Sequence, residues 1–292
     1  MIKTTDENGG ILGVDNTPTK AVASGIWNLN TVATARHDDI WPTTGFYTFP
    51  IGQSLRFDGS SYLSRTSNSS STDNDKYTMS MWIKKTTISS TETYLSAGAG
   101  SSGNNGTYFG TDFNTSSPHK SNTLSFAAYY SSTTPWFVTS ASVQRDTSSW
   151  YHYVVVMDQQ NSTVSSRIKI YINGVLDSLT VGGYPDTTHT SEINEPSTIH
   201  NIGRRSAAQD AHFTGYLAEI NFIDGTALTP TSFGETKNGV WIPKDPSGLT
   251  YGTNGFRLTF EDGIELLSVN GSNVNAFRDK SSSSATNHWK IN

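Results

Sequence analysis

Residues 219–224 read Glu-Ile-Asn-Phe-Ile-Asp and set Glu219, Asn221 and Asp224 along one apolar strand. A retaining glycosidase that works from a single strand carries Glu-x-Asp-x-x-Glu at this spacing, so that alternation aims acid, base and helper carboxylates into one groove. Two of the three positions depart from that chemistry. Asn221 cannot ionise, and Asp224 is one methylene short and precedes Gly225, where it reads as a turn residue. The seven histidines (His37, His119, His152, His189, His200, His212 and His288) include no pair at i, i+4 or i, i+2, so no zinc site is spelled out. His152 lies two residues after Trp150 within a strand and is expected as a satisfied core or near-core histidine. There is no Gly-x-Ser-x-Gly elbow and no glycine-rich phosphate loop before a helix. No catalytic residue is assigned, and the chain is expected not to be an enzyme.

A second constellation could bind sugar without cleaving it. In "AAYYSSTTPWF", Tyr129, Tyr130, Trp136 and Phe137 bracket a turn rich in Ser and Thr. Aromatic faces stack on sugar rings, and polar tips serve wet sites. Strand alternation must turn one residue of each adjacent pair inward, so the competing reading is core plus ordinary surface.

The elements that would position these residues are strands. From about Ser54 to Phe233 short alternating stretches follow one another, among them "YTMSMWIKK", "GTYFGTDF", "WYHYVVVMD" and "YLAEINFID", with polar turns between them. That spacing predicts an all-β sandwich or barrel. In "RIKIYINGVLDSLTV", Ile168, Ile170 and Ile172 alternate with polar residues up to Asn173-Gly174, a pair suited to a type I′ hairpin turn. Residues 1–50 form an N-terminal attachment segment with one short helix expected through Val32, Ala33 and Ala35, and with Trp27 and Trp41 as apolar anchors. Residues 51–233 form the β domain. Residues 234–292 are read as a C-terminal loop and strand extension that ends near Trp289, which suggests a terminus tied down, and Trp289 is the third candidate attachment anchor.

Composition narrows the partners. Charged residues make up only 15% of the 292, the net charge is −5, and Lys84-Lys85 and Arg204-Arg205 are isolated pairs. Nucleic acid is therefore not expected, because phosphate contacts need clustered cations. The absence of cysteine removes disulfides and thiolate metal sites. No run has the length of a membrane span, and no apolar signal-peptide core opens the chain, so membrane insertion is not expected.

The order of motifs resembles the concanavalin A-like, laminin-G-type jelly roll. "SLRFDGSSYLSR" looks like its opening strand, "YTMSMWIKK" like the strand with an inward Trp (here Trp82), and "WYHYVVVMD" like the central Trp-x-His strand. "KIYINGVLD" resembles its hairpin, and "GYLAE" its entry to the last strand. The resemblance implies a two-sheet antiparallel sandwich. Together with "ASGIWNLNTVATARHDDIWP" and "YGTNGFRLTF", these segments also look like structural proteins of tailed bacteriophages from aquatic hosts. That implies a virion surface component (tail fibre, tail-associated protein or head decoration) whose partners are other virion proteins and copies of itself. The alternative is a lectin-like module for a host-surface glycan. No cofactor is expected, except that many laminin-G-type domains hold a rim calcium. The candidate ligands here are Asp73, Asp75, Asp112 and Asp158.

Overall fold

The computed structural model describes residues 34–35, 37–38 and 49–292, apart from 68–69, 89, 99–105, 114–115, 131–132, 189–190, 207, 270–271 and 283–286; it gives the backbone alone at 130, 133, 266, 268–269 and 272–273. Trp27 and Trp41 lie outside the described residues. Of the expected N-terminal helix, Thr34, Ala35 and His37 are described, and all three are helical.

The strands follow the alternating stretches. The first seven are β1 (Leu55–Asp58), β2 (Leu63–Thr66), β3 (Lys76–Lys85), β4 (Glu92–Gly98), β5 (Gly106–Thr111), β6 (Leu124–Tyr130) and β7 (Thr133–Ser140). Then come β8 (Tyr151–Asp158), β9 (Ile168–Ile172), β10 (Val175–Leu176), β11 (Leu179–Gly183), β12 (Ile199–Ile202) and β13 (Thr214–Asp224). The C-terminal part adds β14 (Gly234–Lys237), β15 (Val240–Pro243), β16 (Phe256–Leu258), β17 (Glu265–Val269), β18 (Ser272–Phe277) and β19 (Trp289–Ile291). The pairings are antiparallel. A seven-stranded sheet runs β1-β13-β3-β8-β9-β10, with β16 also on β13, and a ten-stranded sheet runs β11-β7-β6-β5-β4-β12-β2-β19-β18-β17. This is the all-β, two-sheet antiparallel sandwich that the sequence predicts.

Period-2 alternation builds the core between the sheets. β3 sends Tyr77, Met79, Met81 and Ile83 inward, β8 sends Tyr153, Val155 and Met157, and the larger sheet answers with Leu95, Phe109, Phe126, Trp136 and Val138. Trp82 belongs to the opposite register and lies on the outer face of the smaller sheet, stacked on His152 with ring centroids 4.7 Å apart. The expectation of an inward Trp82 is corrected here: the core phase of β3 is already taken by its Tyr, Met and Ile residues.

The Asn173-Gly174 turn has both residues at positive φ, 49° and 81°, as a type I′ turn requires. Its return strand is only two residues long, with Val175 and Leu176 70% and 55% exposed, and the chain then crosses to pair β11 with β7 in the larger sheet.

The C-terminal residues supply strands to both sheets. β16 extends the smaller sheet beside the second half of β13, and β19 sits between β2 and β18 in the larger one. Trp289 is fully buried and packs on Phe256 at 4.9 Å, with the Arg65 guanidinium over both rings. The anchor expected to attach the protein elsewhere is spent inside its own sandwich. In the extension expected as loop and strand, Val240–Pro243 forms β15 and returns along β14 in a hairpin.

Candidate functional site

Glu219, Asn221 and Asp224 do not converge on a groove. Glu219 sits at a bulge in β13 with φ 46°, a conformation that costs a non-glycine residue about 1–3 kcal/mol. It is buried and paired with Arg257 at 2.6 Å. Burial pushes its carboxyl above the ordinary range, while Arg257 pulls the other way. Asn221 accepts a hydrogen bond from the Tyr251 hydroxyl at 2.6 Å. Asp224 accepts from the backbone N–H groups of Thr72, Asp73 and Asn254 and from the Asn194 side-chain amide, at 2.7–3.1 Å. It is more than a turn residue, because it fastens three loops. The stretch that could have been catalytic is a structural seam joining β13 to the C-terminal strands.

The four candidate calcium ligands do not form one set. Asp73 accepts from the Asp75 N–H, Asp75 from Gln160, and Asp158 pairs with Lys76 at 3.6 Å. Asp112 is separate from them. It is held at φ 58° with its carboxylate on the Asn122 N–H, within electrostatic reach of buried Lys85 and Glu92. Burial raises the Asp112 and Glu92 carboxyls and lowers the Lys85 ammonium. Among the described residues, no group of three or more His, Asp or Glu side chains converges as a metal centre.

The aromatic cluster divides as alternation demands. Trp136 is 1% exposed and belongs to the core, against Phe126 at 4.9 Å. Phe137 points the other way, onto the outer face of the larger sheet, where half-buried Tyr129 joins it. Trp136 is therefore withdrawn as a glycan contact, and the Tyr130 side chain lies outside the described residues. One cross-strand row carries Tyr108 on β5, Ala127 on β6, Phe137 on β7 and Gly183 on β11. Large rings alternating with Ala and Gly leave a trough, a cleft of about 430 Å³.

Local structure shapes its walls. Phe113 folds against Tyr108, centroids 4.9 Å apart, and this requires glycine at position 110: a Cβ there would lie 2.7 Å from the Phe113 ring and 2.0 Å from the Glu92 carbonyl. His119 meets Phe137 edge-on at 4.8 Å and is oriented by Thr139 Oγ1, 2.8 Å from its Nδ1. The Arg205 guanidinium lies 5.5 Å from the Tyr108 centroid and 5.8 Å from that of Phe113. Asp210 takes its Nε and Nη2 at 2.7 and 2.6 Å. Burial raises the Tyr108 phenol to about 12 against the pull of Arg205, so it stays a hydroxyl donor at neutral pH.

None of Tyr108, Phe113, His119 and Arg205 was expected as a glycan contact from the sequence. Tyr108 was accessible to the alternation argument, being out of phase with core residue Phe109. Arg205 carried no signal, because a loop brings it to the cleft. Its neighbour Arg204 lies over a different ring, Tyr62, at 3.6 Å.

A second cleft of about 510 Å³ opens on the outer face of the smaller sheet, lined by Trp82, Trp150, Trp241 and residues 50–54. His152 fixes its wall. Trp241 Nε1 donates to His152 Nδ1 at 3.0 Å, so the proton of the neutral ring is on Nε2, which donates to Ser80 Oγ at 2.8 Å. Burial holds this imidazole down to about 3. Gly174 matters twice, for its φ and because a Cβ would press to 2.5 Å of the Trp241 indole.

The fold is a two-sheet antiparallel β-sandwich with an aromatic-lined cleft on the outer face of each sheet. Residues 57–232, more than half of the chain, match the family model of the concanavalin A-like lectin/glucanases superfamily, and the chain belongs to that superfamily. No curated protein matches the chain. Among solved structures it is similar to a Bacteroides ovatus protein with a proposed carbohydrate-binding role, at 13% identity and a TM-score of 0.50. That match covers 82% of this chain and spans 58% of the other protein's length. It is also similar to the CBM40 of a Ruminococcus gnavus sialidase (12% identity, TM-score 0.43, 61% of this chain and 93% of the other). A third is tailspike protein 2 of an Escherichia coli O157:H7 bacteriophage (14%, 0.41, 63% and 24%). At these identities the likeness is one of fold.

Proposed function

We propose that the protein is a non-catalytic glycan-binding module, and that sugar sits in the cleft of the larger sheet. The observation that carries this is the row Tyr108, Ala127, Phe137 with Phe113, Tyr129, His119 and Arg205 around it. Aromatic faces supply stacking, while phenol, imidazole and guanidinium supply directed hydrogen bonds. The cleft volume lies within the roughly 300–1,000 Å³ of small-ligand sites. The carbohydrate-binding role proposed for the Bacteroides ovatus protein of the same fold agrees with this reading. A hydrolytic role is disfavoured because Glu219 is tied to Arg257 and Asp224 to four N–H donors.

The setting is a proposal of its own. The sequence resemblance to phage structural proteins points to display on a virion surface, with residues 1–50 attaching the module to other virion proteins or to its own copies. A glycan array probed with the full chain tests the binding role. Tyr129→Ala and Phe137→Ala are each expected to weaken the best-bound sugar about tenfold, the value of one lost stacking contact. Unchanged binding in both variants would move the site elsewhere.

A further inference from the structure

The pairing of Arg205 with Asp210 bears on which sugars the larger-sheet cleft accepts. An arginine beside stacked aromatic rings would ordinarily grip a carboxylate through two parallel N–H bonds. Here the Nε–Nη2 edge is already occupied by Asp210, at 2.7 and 2.6 Å. The Asp210 carboxylate is also 53% exposed, so its negative charge faces solvent at the rim. Among the described residues that line the cleft, only Arg205, His119 and the phenols are ionisable. The local charge is therefore set by this one pair.

The loop that presents Asp210 is built by backbone and not by the ion pair. Arg205 N–H donates to the Asp210 carbonyl at 2.9 Å, and Thr93 N–H to the Ala211 carbonyl at 2.9 Å. Gln209 and Ala211, on either side, both sit in the left-handed region at φ 55° and 50°, a conformation that non-glycine residues adopt only when the surroundings impose it. Tyr108 and Phe113 hold the guanidinium from beneath.

We propose that Asp210 is a specificity-determining residue: by occupying the fork of Arg205 it makes the cleft select neutral sugars and reject sugars that carry a carboxylate. The inference rests on the glycan-binding reading above. Specificity of this kind works by leaving the wrong ligand's charge beside a cation that is already neutralised and next to a like charge.

The test titrates the full chain by calorimetry with neutral gluco-, xylo- and galacto-oligosaccharides and with oligogalacturonate, at low and high salt. Wild type is expected to bind a neutral ligand and to bind oligogalacturonate at least roughly tenfold more weakly. Asp210→Ala, and Asp210→Asn as the isosteric control, are expected to keep neutral binding and to gain about tenfold for oligogalacturonate, a gain that high salt removes. Adding Arg205→Ala should abolish the gain. Thermal melts confirm that each variant is folded. Wild type preferring oligogalacturonate would overturn the inference while leaving the glycan reading in place. So would folded Asp210 variants that keep the wild-type preference or lose neutral binding. No binding of either class by wild type and variants alike would sink the glycan reading itself, and this inference with it.

Discussion

The two outer faces of the sandwich carry clefts of similar size, about 430 and 510 Å³, and differ in how their polar atoms are used. On the smaller sheet they are spent inside the protein. Both ring nitrogens of His152 and the Trp241 N–H are engaged with one another and with Ser80. Phe233 and, from the C-terminal part, Tyr251 cover Val154, Val156 and Ile223 on the same face. The larger sheet also ties His119 Nδ1 to Thr139 and one edge of Arg205 to Asp210, but keeps the rings and remaining polar atoms of Tyr108, His119 and Arg205 along its trough, with Ala127 as its floor. A buried polar group is stable only when paired, so a face roofed by its own chain must satisfy its donors internally, whereas an uncovered face can offer them. Aromatic content alone therefore does not mark a ligand site; the smaller face, with Trp82, Trp150 and Trp241, is the richer in indole.

Substitutions can break this contrast, and the largest effects belong to the core and to the smaller sheet. Trp289→Ala is expected to cost about 3–5 kcal/mol by opening a core cavity, and urea denaturation reads it. A cost near zero would mean that β19 is not part of the sandwich. Arg257→Ala leaves Glu219 buried and unpaired and is expected to cost about 3–5 kcal/mol. Arg257→Lys should recover only part of that loss, because it keeps the charge without the planar fork.

Acid should act next. His152 and His200 are buried, and burial holds both at about 3, against about 6.5 in the unfolded chain. The unfolded chain therefore takes up protons that the folded one does not, so this stability is fully present above pH 6.5 and falls away as pH drops toward 3. The loss at pH 5 is on the order of 2 kcal/mol per histidine, seen as a lower urea midpoint than at pH 7. An unchanged midpoint would mean that these rings are solvated.

Trp241→Phe keeps a ring but strips the donor from His152 Nδ1, for about 1 kcal/mol in the same assay. Smallest of all, Tyr129→Ala on the open face should change stability by no more than about 0.5 kcal/mol while weakening sugar binding. A large stability loss there would make the trough a structural seam like its counterpart.

Much of the architecture was legible because period-2 alternation is local. The strands and the Asn173-Gly174 turn follow from residue order; alternation leaves sandwich or barrel open, and the two-sheet sandwich is what the laminin-G-type resemblance implies. Residue order also sets the rule that only one of Trp136 and Phe137 can face outward. The same rule leaves the sign open. Which of the two faces the core depends on the partner sheet, and Trp136 went inward. Trp82 was placed inward by the laminin-G-type resemblance and lies outside because Tyr77, Met79, Met81 and Ile83 hold the core phase. Trp289 was placed at an outer surface because a short terminal strand declares no partner until β2 and β18 are laid beside it.

What the sequence determined by itself is the class of the fold, the absence of thiolate chemistry, and the defect in the Glu219–Asp224 motif, each a property of residue type and near-neighbour spacing. What only the tertiary structure decided is the cleft. Tyr108, Ala127 and Phe137 are neighbours through strand pairing, and Arg205 and Asp210 meet them through a loop held by backbone bonds. Long-range register and loop closure are set by the free energy of the whole packed core, which no short window of sequence contains.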